Sequence, residues 1–278
     1  MTQATAGALA LHDWPAPSLL AAFARGELSP VEVTQSVLDQ IERWEPQLHA
    51  SYLLRPELAL AQARASETRW RAGTPCGALD GVPASIKDLV LTRGWPTLRG
   101  SHTVKPDQPW EVDAPAVARL RESGAVLLGK TTTPEFGCKG ETNSPLTGIT
   151  RNPWDLSRTP GGSSGGAAAA VAAGMGPLAI GTDGAGSVRI PAAFCGTVGH
   201  KPSAGLIPNT GHYPPATPEN GYLVSGPLCR RVGDVLPILR ALKEGRFVAI
   251  QGDRDVSGTG RTFTLFGEPT PLPIGPFQ

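Results

Sequence analysis

The chain lacks several features by which a function is often recognised. Its net charge is +1, from 25 basic and 24 acidic residues among 278, so we expect no basic surface for direct binding of nucleic acid. The four cysteines are far apart and form no CxxC pair, and the five histidines show no metal-ligand spacing. We therefore expect no zinc ribbon, no thioredoxin-type site, no bound metal and no cofactor.

Long hydrophobic runs are also missing. The first residues carry neither a basic region nor a long apolar stretch, and so do not have the pattern of a secretory signal. The most apolar run, 167–180, is interrupted by Gly174, Gly176 and Pro177 and is too short to span a bilayer. We expect a soluble cytoplasmic protein with reduced thiols and no membrane partner.

Helical and strand patterns alternate along the chain. Apolar residues recur at helical spacing after Ser29, which is a suitable N-cap with Glu32 completing a capping box, and Pro46 is expected to stop this helix. Further helices are predicted over 57–72, 114–123, 167–174 and 232–243, and short strands over 85–90, 124–129, 177–181 and 246–250. This alternation favours an α/β fold.

Three residues, Lys87, Ser163 and Ser187, carry the candidate chemistry. Lys87 lies in an apolar segment, where burial disfavours the ammonium form. A neutral lysine can act as the base for a serine nucleophile, as in Ser–Lys variants of the serine triad. Taken alone, Lys87 would more often be a partly exposed, paired lysine.

Glycine-rich stretches surround both serines. Gly184, Ala185 and Gly186 precede Ser187 and can turn several backbone N–H groups toward one point, as an oxyanion hole requires. The stretch GGSSGG (161–166) has two alternative interpretations, a phosphate-binding loop and a flexible linker. It lacks the GK[ST] ending of a P-loop, and an Ala-rich helix follows it directly.

These motifs together resemble the amidase signature family. The stretch from GGSSGG (161–166) to GTDGAGSVRIP (181–191) matches the glycine- and serine-rich signature of that family. The segments GVPASIKD (81–88), GAVLLGKTTTPEF (124–136), NPWD (152–155) and VGHKP (198–202) match its neighbouring blocks. The resemblance covers roughly residues 15–250.

The resemblance implies a Ser–cis-Ser–Lys triad. In that triad Lys87 is the general base, Ser163 is the bridging serine with a cis peptide bond to Gly162, and Ser187 is the nucleophile. The N–H groups of residues 184–187 would form the oxyanion hole. Gly137 would lie in a substrate-facing loop. The implied fold is a mixed central β-sheet covered by helices on both faces.

Three neighbouring residues have competing interpretations. Asp183 and Arg189 are expected to form an ion pair that supports the nucleophile loop, although Arg189 could instead bind an acidic group of the substrate. Ser164 could hydrogen-bond near the nucleophile or cap the following helix. Cys195, in an apolar neighbourhood, is expected to be a buried core cysteine rather than a thiol nucleophile.

Two departures from the family pattern matter. Ala185 stands where the family usually has glycine, and would be strained if it needed a positive φ. Members are commonly far longer, so we expect a C-terminally truncated member. The expected organisation is an amidase signature domain over 1–250, with N-terminal helices over 15–75 and a catalytic core over 76–205, followed by an atypical Gly/Pro-rich tail over 251–278.

Three functional hypotheses follow. The first is a stand-alone amidase that hydrolyses a small-molecule carboxylic amide, for which a homo-oligomer is possible and the sequence does not define the oligomeric state. The second is the A subunit of a glutamine-dependent tRNA amidotransferase, which typically has glutamine where Ile190 stands here. The third is an inactive remnant of a longer enzyme.

Overall fold

The computed structural model describes residues 9–208 and 223–243 and the strand residues 261–265 and 268–272. The α-helices in these ranges are α1 (Ala16–Ala24), α2 (Pro30–Leu48), α3 (Pro56–Arg71), α4 (Pro115–Glu122), α5 (Gly165–Ala172), α6 (Arg189–Cys195) and α7 (Val232–Lys243). The strands are β1 (Ser51–Leu54), β2 (Pro83–Lys87), β3 (Val126–Thr131), β4 (Asn143–Ser144), β5 (Gly148–Ile149), β6 (Leu178–Asp183), β7 (Val198–Gly199), β8 (Val224–Cys229), β9 (Arg261–Leu265) and β10 (Glu268–Leu272). None of the helices in the described ranges has both the length and the apolar character needed to cross a bilayer.

The centre of the fold is a six-stranded sheet with the order β1-β3-β2-β6-β8-β7. The three middle strands β3, β2 and β6 run parallel to one another, whereas β1, β8 and β7 pair antiparallel with their neighbours. The sheet is therefore mixed, and the predicted α/β class is confirmed. Two short antiparallel pairs, β4–β5 and β9–β10, lie outside it.

Both faces of the sheet are covered by helices, as expected from the resemblance. On one face Ile86 and Ile180 pack in a core cluster with residues of α1, α4 and α7. On the other face Val126, Leu128 and Ala179 pack in clusters with residues of α2, α3, α5 and α6. Because side chains alternate along a strand, Lys87 leaves β2 on the second face, opposite to Ile86.

The helix that starts at Ser29 confirms one prediction and corrects another. Ser29 caps α2 with its hydroxyl, and Glu32 accepts a hydrogen bond from the Ser29 N–H, so the capping box is present. Pro46 does not stop the helix, which continues to Leu48. The helix loses only the one hydrogen bond that proline cannot donate, and the extra turn buries Leu48 completely.

The strand that carries Lys87 ends earlier than predicted. The prediction extended to Val90, but β2 ends at Lys87, where the N–H of Val90 turns back to the Lys87 carbonyl at 3.0 Å. Leu89 and Val90 are buried in the following loop, so their apolar character alone does not separate a strand from a buried turn. Lys87 consequently lies at the carboxyl end of a central parallel strand.

Three further predicted helices are present in the structure, whereas two other predictions are not tested by it. The helices predicted over 57–72, 114–123 and 232–243 correspond to α3, α4 and α7. The strand predicted over 246–250 lies outside the described residues. The proposed domain boundaries stay a prediction.

Close contact between α5 and the sheet brings Ser163 to the strand ends. A Cβ atom on Gly166 would lie 2.5 Å from the backbone nitrogen of Thr132 and 2.6 Å from the carbonyl oxygen of Ala50. These are backbone atoms that cannot turn away, so only glycine permits this approach of the helix to β3.

We predict that Gly166→Ala lowers the free energy of unfolding by about 1–3 kcal/mol, because the added methyl group overpacks the contact between α5 and β3. The matched control is Gly140→Ala, since a Cβ on Gly140 would meet nothing within 4 Å. Chemical denaturation of both variants measures the difference, and equal unfolding free energies would contradict this packing argument.

Candidate active site

Lys87 is completely buried, and its amine lies among three hydroxyl groups. The Nζ atom is 2.7 Å from Ser163 Oγ, 2.9 Å from Ser164 Oγ and 3.0 Å from Thr182 Oγ1. Its side chain is 0% exposed. Burial lowers the pKa of Lys87 well below its usual range, while the Asp183 carboxylate raises that pKa by a smaller amount. The site therefore favours a neutral amine, which is the form that can accept a proton.

Ser163 lies in a loop that is held on both sides. The peptide bond between Gly162 and Ser163 is cis, as the resemblance implied. The Thr142 hydroxyl donates to the Gly161 carbonyl at 2.8 Å and accepts from the Gly165 N–H at 3.1 Å. Thr142 thus spans the loop, and it was not among the residues expected from the sequence.

The loop that carries Ser187 is organised around the Asp183 carboxylate. Asp183 accepts hydrogen bonds from the N–H groups of Gly186 at 2.8 Å and Val188 at 3.1 Å. The guanidinium of Arg189 binds the same carboxylate through Nε and Nη2, both at 3.0 Å. Burial by itself would raise the pKa of Asp183, but these hydrogen bonds hold it at about 2. The carboxylate is therefore ionised throughout the neutral range.

The predicted ion pair between Asp183 and Arg189 is present in the structure. The Nε and Nη2 donors of Arg189 are both directed at the Asp183 carboxylate, and the Arg189 side chain is 54% exposed. The structure thus places Arg189 in support of the nucleophile loop. The expected contact between Arg189 and substrate stays a prediction.

The loops that carry Ser163 and Ser187 meet through a backbone hydrogen bond. The Ser164 N–H donates to the Ser187 carbonyl at 3.1 Å. Ser163 is 2% exposed, whereas Ser187 is partly exposed. The candidate bridging serine is thus buried, whereas the candidate nucleophile is partly open to solvent.

The oxyanion-hole expectation needs a correction at Gly186. Its N–H is bound to Asp183 Oδ1, so it is not available to a substrate oxygen. In the described part of the chain no hydrogen bond takes the N–H groups of Gly184, Ala185 or Ser187. The positive φ in this loop, 107°, belongs to Gly186, so the strain considered for Ala185 does not arise.

Gly137 lies beside Ser163. A Cβ atom on Gly137 would lie 3.4 Å from Ser163 Oγ. Gly137 has a φ of 72° and ends a short 3₁₀ turn, Glu135–Gly137. The structure thus brings this turn close to the bridging hydroxyl, while its contact with substrate stays a prediction.

The hydrogen-bond partners of Ser164 and the burial of Cys195 distinguish between the competing interpretations of these two residues. The Ser164 side chain makes no capping hydrogen bond to α5 and is instead bound to Lys87 and to the backbone of Thr182. Cys195 is buried in a core cluster, and burial raises the pKa of its thiol to about 12. The prediction of a core cysteine is confirmed.

Thr182 is a second residue that sequence reasoning missed. Its hydroxyl is 3.0 Å from the Lys87 amine, although it stands inside the recognised signature stretch, where it gave no separate chemical signal. Over the same described residues no group of three or more His, Cys, Asp or Glu side chains is arranged to hold a metal ion.

Comparisons with known proteins agree with this geometry. The family model described as Amidase matches residues 32–247. The A subunit of the glutamyl-tRNA(Gln) amidotransferase of Chloroflexus aggregans is 46% identical over 201 residues, which are 72% of this chain and 41% of that protein.

Solved structures show the same similarity. A bacterial aryl acylamidase of the amidase signature family has a TM-score of 0.77 and 37% identity, covering 84% of this chain and 48% of that one. The native peptide amidase from Stenotrophomonas maltophilia has a TM-score of 0.76 and 35% identity, with the same coverages of 84% and 48%.

The chain spans less than half the length of each of these relatives. The matched part nevertheless includes the buried lysine, both serine loops and the ion pair that supports the second loop. The chain belongs to the amidase signature family.

Proposed function

We propose that this chain hydrolyses carboxylic amides through an acyl-enzyme on Ser187. The observation that carries the proposal is the buried Lys87 amine, 2.7 Å from Ser163 Oγ. Family membership supports amide hydrolysis in general. Because the chain matches only part of each relative, its own activity is inferred from the site rather than from those proteins.

The proposed reaction begins with a proton relay. The Ser187 oxygen attacks the amide carbonyl carbon while its proton passes to Ser163 Oγ, and the Ser163 proton passes to Lys87 Nζ. The C–N bond then breaks, and the leaving amine takes a proton back along the same path. Water hydrolyses the resulting ester, which releases the carboxylic acid and restores Ser187.

The hydroxyl groups around Lys87 support this direction of proton transfer. Ser164 Oγ donates to the Thr182 carbonyl at 3.3 Å, so toward Lys87 it acts as an acceptor. A neutral amine has two N–H bonds and one lone pair. If Ser164 and Thr182 take the two N–H bonds, the lone pair faces the O–H of Ser163, as a general base must.

The developing oxyanion would be stabilised by the backbone of the nucleophile loop. The N–H groups of Gly184, Ala185 and Ser187 are the candidate donors, since that of Gly186 is bound to Asp183. Donors fixed in this way need no reorganisation as charge develops in the transition state. Asp183 therefore supports catalysis by holding the loop rather than by touching substrate.

A second candidate function comes from the curated relatives. The relative with 46% identity is the A subunit of a glutamyl-tRNA(Gln) amidotransferase, which suggests ammonia release from glutamine and assembly with other subunits. Ile190 weighs against it. Its side chain lies near the Cα positions of Gly161 and Gly186, between the two loops, and offers no hydrogen bond to a polar substrate such as glutamine. We therefore favour a small-molecule amide other than glutamine as the substrate.

We predict that a fluorophosphonate probe labels Ser187 in the full chain, located by peptide mass spectrometry. Ser187→Ala is expected to abolish labelling, and Ser163→Ala and Lys87→Met to slow it by at least about 10³-fold, because residues of a triad act as one unit. Ser157→Ala, a change in a surface turn, is the control and should label normally. Labelling that persists in Ser187→Ala contradicts the proposed nucleophile, and an unlabelled but folded chain favours the inactive-remnant hypothesis.

We predict that kcat/KM for p-nitroacetanilide rises with pH through the pKa of Lys87 and then levels off, because only the neutral amine accepts a proton. The Asp183 carboxylate raises this pKa, so Asp183→Asn should move the rising limb to lower pH while it also lowers the plateau. The measurement is the pH profile of both proteins. A limb that stays in place or moves to higher pH would show that Lys87 is not the titrating base.

We predict that the chain hydrolyses p-nitroacetanilide at least about tenfold faster than glutamine, because an apolar side chain at position 190 leaves polar substrate groups unpaired. Ile190→Gln should narrow the difference, whereas Ile190→Leu should keep it. Ammonia and nitroaniline release measure the two rates. A preference for glutamine in the unsubstituted chain would favour the amidotransferase function.

A further inference from the structure

A second buried lysine lies close to the site but outside the proton relay. Lys130 is 0% exposed, and its Nζ is 4.0 Å from the Oδ1 atom of Asp88, which is 1% exposed. The ammonium donates to the Val90 carbonyl at 2.6 Å and to Thr97 Oγ1 at 2.8 Å. Lys130 thus ties β3 to the loop that follows Lys87.

The Asp88 carboxylate holds a strained backbone segment. It accepts hydrogen bonds from the N–H of Leu98 at 3.1 Å and of Gly100 at 3.2 Å, on either side of Arg99. Arg99 has a φ of 60°. A non-glycine residue keeps this conformation only where its surroundings enforce it, and the two carboxylate oxygens supply that enforcement.

The strained segment in turn holds the turn beside Ser163. The Arg99 carbonyl accepts the N–H of Phe136 at 2.8 Å, and Phe136 is itself left-handed, with a φ of 52°. Gly137 follows directly, at the position from which a Cβ would approach Ser163 Oγ to 3.4 Å. A continuous chain of contacts therefore runs from Asp88 to the turn that lies beside the bridging serine.

Stability does not explain why these two charges are buried. Burial raises the pKa of Asp88 and lowers the pKa of Lys130, and the attraction between the two groups only partly opposes each shift. A buried ion pair often stabilises a fold no better than apolar residues of the same volume. The pair does provide two charged groups with fixed, directional hydrogen bonds.

We propose that Asp88 and Lys130 are positioning residues that set the turn Glu135–Gly137 against Ser163 and so shape the surface against which the amide substrate lies. The inference deepens the proposed function and rests on it for the identity of the substrate. The hydrogen bonds that link the pair to the turn through residues 98–100 do not depend on that function.

The first test measures backbone hydrogen exchange in the full chain, so it does not depend on activity. In Asp88→Asn only one oxygen remains as an acceptor, and the N–H groups of Gly100 and Phe136 should exchange at least about tenfold faster, while those of β6 keep their protection. The matched control is Asp80→Asn, since Asp80 is also a completely buried carboxylate, paired with Arg69. Exchange at Gly100 and Phe136 that is unchanged, or that rises equally in both variants, overturns the proposal.

Lys130→Met is the second variant, because it keeps the Asp88 carboxylate and covers the case in which Asp88→Asn does not fold. Lys130→Met also removes the hydrogen bond from Lys130 to Thr97, the residue before Leu98. It should therefore give the same selective loss of protection at Gly100 and Phe136. Loss of protection throughout the sheet in Lys130→Met would show a structural role only and would overturn the proposal.

The second test separates substrate positioning from the triad. If the turn positions the amide, Lys130→Met should lower kcat/KM for p-nitroacetanilide about 100-fold, as small misplacements of substrate do. Fluorophosphonate labelling of Ser187, which needs the relay but little of the turn Glu135–Gly137, should slow by less than about threefold, because the relay itself is intact. A parallel fall in both rates overturns the proposal.

If the unsubstituted chain is labelled but hydrolyses no amide, the proposed function fails, while the exchange experiment still decides the positioning role.

Discussion

The arrangement of this site depends on the burial of one amine. Lys87 is completely enclosed, and an enclosed ammonium would need a close carboxylate that its immediate neighbours do not provide. Three hydroxyl groups surround it instead, and they satisfy a neutral amine at lower cost than a charged one. Because two of these hydroxyls belong to the loop 161–164 and one to the end of β6, the amine can be satisfied only when these segments converge.

These segments are held together mainly by side chains that hydrogen-bond to the backbone. Thr142 spans the loop that carries Ser163, and Asp183 gathers the N–H groups of the loop that carries Ser187. These supports start from a residue beside the β4–β5 pair and from the end of a central strand. Groups held by such rigid elements keep a reactive geometry better than groups held by mobile loops. Both supporting side chains, Thr142 and Asp183, are buried.

Spacing along the sequence predicted local features, and the family resemblance predicted the distant pair of Lys87 and Ser163, 76 residues apart. The capping box at Ser29, the amphipathic helices and the pairing of Asp183 with Arg189 follow from spacings of a few residues, and the structure contains all of them. Thr182 and Thr142 could not be recognised this way, because the partner of Thr182 lies 95 residues away along the chain and those of Thr142 lie 19 and 23 residues away. The end of β2 was misplaced because buried turn residues and buried strand residues are equally apolar.

The position of Lys87 at a strand end has a further consequence, because neighbouring residues in extended chain point to opposite faces of a sheet. Lys87 is directed to the face covered by α5, where both serine loops meet. Asp88 follows it immediately, and its partner Lys130 pairs in register with Ile86, on the face opposite to Lys87. One strand end therefore supplies a neutral amine to one face and a charged pair to the other. A displacement of β2 along its axis would disturb the base and the support of the Glu135–Gly137 turn together, so the strand couples the two sides of the site.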